Sequence, residues 1–84
     1  MGKWDRILAR LSNNPIGVSF DDLEALLQHF DFAERAPSGG SHYVFSHRCL
    51  PGRHLTIPRH DPVKPPYVRQ AIELIDRLLE MEDI

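Results

Sequence analysis

Eighty-four residues, 42% hydrophobic and 26% charged, make one domain with surface enough to bury for a single modest core. No apolar run approaches the roughly 20 residues of a membrane span, and the charged N-terminus "MGKWDRILAR" excludes a signal-peptide reading. The formal charge of −2 hides three blocks, with −3 over residues 1–34, +5 over 35–69 and −4 over 70–84. The overall pI near 6.2 argues against a nucleic-acid binder, but the basic middle, which also holds His42, His47, His54 and His60, supplies a local field suited to phosphates. Gly2 starts a poor myristoylation signal, because position 6 is Arg6. The single cysteine, Cys49, excludes an internal disulfide and fits a reducing, cytoplasmic setting.

In chain order, Trp4, Ile7, Leu8 and Leu11 repeat at the spacing of one helix face, and "NNP" ends that helix before Pro15. Ser19 is a natural N-cap for a second helix, with Asp21 and Asp22 in its first turn and Leu23, Leu26, Leu27 and Phe30 as its stripe. His29 beside that stripe reads as structural, a cation suited to a helix C-terminus. "DFAERAP" reads as a short strand, "SGGS" as a turn, and "HYVFSH" as an alternating strand. Pro51-Gly52 predicts a tight bend before "RHLTIPR", whose Pro58 requires an edge strand or a strand end. "HDPVKPP" is extended by its prolines. "YVRQAIELIDRLLEMEDI" is a long amphipathic helix with Pro65 or Pro66 in its first turn.

The short connections require an antiparallel meander. Tyr43, Phe45, Leu55 and Ile57 should face the helices. His42, Val44, Ser46, His54 and Thr56 should face outward on a more polar, open side. The fold class is therefore α+β, a three-stranded antiparallel sheet packed on helices in the order α-α-β-β-β-α.

His42 is the first candidate for chemistry. An imidazole exchanges protons near neutral pH, and RNA cleavage needs that help: a base takes the 2′-OH proton, and an acid protonates the leaving 5′ oxygen. Arg35, Arg48, Arg53, Arg59 and Lys64 surround His42 in sequence and could hold phosphates. From pattern alone, the plainer reading is a strand histidine on a solvated face. The second candidate is "IPRHDPVKPP", where Arg59, His60 and Lys64 precede a helix whose exposed N–H groups could take a phosphate; a charged loop is the plainer alternative. A metal site from His47, Cys49, His54 and His60 matches no recognised zinc spacing. Asp21, Asp22 and Glu24 read better as helix N-terminal charges than as metal ligands.

"GGSHYVF", then "LTIPRH", then a C-terminal helix resembles the HicA toxin family over roughly residues 19–80. The resemblance implies a double-stranded-RNA-binding-domain-like α-β-β-β-α unit once the first helix is set aside, with residues 1–84 as one toxin domain and residues 1–14 as its N-terminal helical extension. It implies an endoribonuclease toxin of a type II toxin–antitoxin system that cleaves mRNA without metal or other cofactor, with His42 as the catalytic histidine. Arg35, Ser41, Arg53, Arg59, His60 and Lys64 are the candidate RNA-binding residues. The implied partners are mRNA and a HicB-like antitoxin that covers the active site, with no membrane; the oligomeric state of the free chain stays open, a monomer included. A non-catalytic RNA-binding or protein-interaction module of the same fold is the alternative.

Overall fold

A computed structural model describes residues 2–82. The helical periodicities produce α1 (Lys3–Asn13), α2 (Phe20–His29) and α3 (Pro65–Glu82). Asp5 closes the start of α1 by accepting the Gly2 N–H at 3.2 Å. Ser19 caps α2 as expected, its Oγ accepting the Asp22 N–H at 3.1 Å. The last two residues of the predicted final helix, Asp83 and Ile84, lie outside the described residues.

The end of α2 explains a difference from the sequence reading. Asp31 takes a left-handed conformation, φ 68°. Its N–H bonds to the Gln28 carbonyl, and the Phe32 N–H bonds to the Leu27 carbonyl. That pair of bonds is a Schellman closure, and Phe32 and Leu27 are both buried in the same core. The closure uses up the first residues of "DFAERAP", so β1 is only Ala33–Arg35.

β2 (His42–Ser46) and β3 (His54–Pro58) follow, and the antiparallel sheet has the order β1-β2-β3. The connection from β1 to β2 is a six-residue loop, 36–41, wider than a tight glycine turn; Gly40 within it has φ 149°. The β2–β3 connection contains a tight turn. The Arg53 N–H bonds to the Leu50 carbonyl at 3.2 Å, and Gly52 sits at φ 77°, the type II position that glycine occupies without strain.

Register assigns the faces. Tyr43 pairs with Ile57 and Phe45 with Leu55; His42 pairs with Pro58, Val44 with Thr56, and Ser46 with His54. Phe45, Leu55 and Ile57 are buried in one core with residues of all three helices, and Tyr43 packs partly against it. Each such side chain contributes about 1.5–3 kcal/mol when fully buried. His42, Thr56 and His54 are exposed on the opposite face, where Val44 and Ser46 are half-buried. Pro58 ends an edge strand. The bond flanking its pair runs from the Arg59 N–H to the Ser41 carbonyl at 2.6 Å, so the missing Pro58 N–H faces away from β2.

The observed order is α-α-β-β-β-α, an α+β fold of the double-stranded-RNA-binding-domain type in which α2 to α3 form the α-β-β-β-α unit. α1 joins the same core through Leu8 and Leu11. Trp4 stacks on His29 with ring centroids 4.6 Å apart. His29 is structural as expected, through this stack as well as its place at the end of α2.

Candidate active site on the open sheet face

His42 begins β2 beyond the last residue of β1. Arg35, the end of β1, pairs with Val44. His42 therefore has β3 on one side and the 36–41 loop on the other. The result is an open depression of about 480 Å³ that includes Arg35, Ser38, Gly39, His42 and Val44 in its lining. Cross-strand partners share a face, so Arg35 lies on the same open side as Val44 and one diagonal step from His42.

The other candidates divide by position. Ser41 precedes His42 and holds β3 through its carbonyl. Arg59 turns to the helix side of the sheet. Its guanidinium lies 4.7 Å from the Phe20 ring centroid and 3.1 Å from Asp21 Oδ1. The Asp21 hydrogen bond raises its already high pKa. Arg59 is thus an ion-paired cation beside the sheet edge rather than a free one under His42. His60 follows immediately, its Nδ1 3.0 Å from the Pro62 carbonyl oxygen.

Two expected groupings do not form. His54 shares the open face with His42 but pairs with Ser46 at the other end of β2, roughly 13 Å away at the rise of a strand. Arg53 precedes it in the turn, and Arg48 lies in the same β2–β3 connection, so neither adjoins His42. The start of α3 also differs from expectation. Pro65 and Pro66 have no N–H, and the Tyr67 N–H bonds to the Lys64 carbonyl at 3.0 Å, so these positions offer no free donor to a phosphate. Lys64 keeps only its exposed side chain as a cation there.

His47, left without a task by the sequence, is a turn residue. Its Nδ1 accepts the Cys49 N–H at 3.0 Å, and its ring meets Phe32 edge-on at 5.1 Å. Among the described residues no group of three or more His, Cys, Asp or Glu side chains is arranged to hold a metal ion, so His47, Cys49, His54 and His60 are not gathered into one.

Residues 20–76 match a family model described as "HicA toxin of bacterial toxin-antitoxin". The chain belongs to the HicA toxin family. No curated protein and no solved structure matches it. Membership makes it the toxin of a toxin–antitoxin pair. The HicA match takes in α2, the whole sheet and α3 as far as Asp76, and so includes His42, "IPRH" and the loop between them; α1 lies before it. No helix of the described residues is long and apolar enough to cross a membrane.

Two side chains that hold this site together escaped the sequence reading. Asp61 Oδ1 accepts the Phe20 N–H at 2.6 Å across 41 positions. Asp21, read only as a helix-terminal charge, also pairs with Arg59 across 38. No local spacing announces either contact.

Proposed function

We propose that this HicA toxin is an endoribonuclease that cleaves mRNA by metal-independent acid–base chemistry, with His42 as its essential proton-transfer residue. The observation that carries the reading is the setting of His42: an exposed imidazole on the open sheet face, in a depression it shares with Arg35. His42 takes the 2′-OH proton, and the alkoxide attacks the adjacent phosphorus. Such proton transfer contributes about 10²–10⁴-fold in rate. Arg35 is the cation placed to offset charge developing on the phosphoryl oxygens. Ser41, His60 and Lys64 would meet the RNA from the β3 end, Arg59 would do so only by leaving its Asp21 pair, and Arg53 offers a more distant phosphate contact. A HicB-like antitoxin neutralises the toxin by covering the His42 face.

Support comes from family membership together with the basic charge of residues 35–69. The test is induced expression of wild type and His42→Ala in a bacterial host without antitoxin. Growth arrest with loss of bulk mRNA is expected only for wild type. Equal arrest by both proteins would remove His42 from the mechanism.

A second reading, RNA binding without cleavage, is favoured by one observation: among the described residues no hydrogen bond fixes the His42 imidazole. It predicts salt-sensitive RNA binding, no cleavage and no growth phenotype that depends on His42.

A further inference from the structure

His60 differs from the other histidines in three respects. The first is position. His42 stands opposite Pro58, and the Arg59 N–H to Ser41 carbonyl bond keeps the two chains together one residue further. His60 comes next, so the His42 and His60 backbones are roughly 8 Å apart by strand spacing and rise.

The second is the imidazole itself. Nδ1 lies 3.0 Å from the Pro62 carbonyl oxygen. A carbonyl only accepts, so Nδ1 carries the proton and Nε2 is the free nitrogen. The imidazole is exposed. In its charged form the only donor left for a substrate is Nε2–H.

The third is the mounting. Asp61 is bonded to the Phe20 N–H at 2.6 Å, and the Val63 N–H to the Val18 carbonyl at 2.7 Å. Together with the Arg59 bond, these fix the chain on both sides of His60. The other three lack this combination: His47 uses Nδ1 to accept the Cys49 N–H, His29 lies against Trp4, and His54 is at the far end of the sheet.

We infer that His60 is the general acid for the cleavage in which His42 acts as base, an assignment that rests on the ribonuclease reading. The proton on the 2′ oxygen passes to His42 as the O2′–P bond forms. The P–O5′ bond breaks, and the Nε2 proton of His60 passes to the departing 5′ oxygen. The products are a 2′,3′-cyclic phosphate and a 5′-hydroxyl, with no further reactant.

The experiment compares an ordinary RNA oligonucleotide with one carrying sulfur in place of the bridging 5′ oxygen, at a position first mapped as a cleavage site with wild type. A thiolate leaves without a proton, so the sulfur substrate bypasses the acid. His60→Ala and His60→Asn should cut the ordinary RNA about 10²–10³-fold more slowly. Both should return to within about tenfold of wild type on the sulfur substrate, whereas His42→Ala stays inactive on both. His60→Asn keeps an N–H at the Nδ1 position for the Pro62 carbonyl, and melting curves establish that each variant is folded. Equal losses on both substrates, or no loss on either, would overturn the assignment. If wild type cuts neither, the ribonuclease reading itself falls and the assignment with it.

Discussion

Trp4 and His29 stack with ring centroids 4.6 Å apart and planes only 13° from parallel, which joins α1 to the end of the first helix of the family region. Leu8 and Leu11 of α1 are buried in the common core. α1 is thus a packed part of the domain, although the family match begins at Phe20. Leu11→Ala should destabilise the protein by about 2–4 kcal/mol, and Trp4→Ala by about 1–2 kcal/mol. Urea unfolding of the two variants checks this, and unchanged midpoints would show that α1 is dispensable.

Asp31 occupies a left-handed position where glycine is free of strain, and its carboxylate sits at the unfavourable end of the α2 dipole. Asp31→Gly should stabilise the fold by about 1 kcal/mol, raising Tm by about 4–8 °C. Thermal melting measures it directly, and a lower Tm would contradict the closure described for α2.

Glu24 on α2 faces Glu34 on β1. The hydrogen bond shared with Glu34, then burial, then the Glu34 charge raise the Glu24 pKa above its usual 4.5. The folded state therefore binds the proton more tightly than the unfolded chain. Stability is highest below the unfolded value and falls as pH rises through the raised folded one. Glu24→Gln removes this dependence and should add roughly 0.5 kcal/mol at pH 7, a small figure because solvent screens the pair. Unfolding titrations at pH 4 and pH 7 should show the gain at pH 7 and little at pH 4.

Asp61 reaches across the chain to cap Phe20. Asp61→Ala should cost about 1 kcal/mol and loosen the loop that carries His60. Amide hydrogen exchange at Phe20 should accelerate in this variant. Unchanged protection there would show that the cap does not hold.

Much of this arrangement was legible in the sequence because it follows local periodicity. The spacing of Leu23, Leu26, Leu27 and Phe30 gave α2, and alternation in "HYVF" and "HLTI" placed Phe45 and Ile57 inside and His42 outside. Pro51-Gly52 gave its turn. What periodicity does not contain is distance between remote residues. Register alone separates His54 from His42, although both point outward. Arg59 looked like a phosphate ligand until its alternation, one step past Pro58, turned it toward Phe20 and Asp21. The two prolines that suit the start of α3 are the same residues that deprive it of phosphate-binding N–H groups, a consequence of composition that a helix-terminus rule alone passes over.

The central claim is that His42 moves a proton during RNA cleavage. The most direct measurement is the cleavage of labelled RNA by purified wild type and His42→Ala in excess EDTA, with end-group analysis of the fragments. The account predicts 5′-hydroxyl fragments from wild type and at least a hundredfold loss, about 10²-fold or more, in a His42→Ala protein that still folds. Cleavage that required added divalent metal, or that survived in His42→Ala, would contradict it.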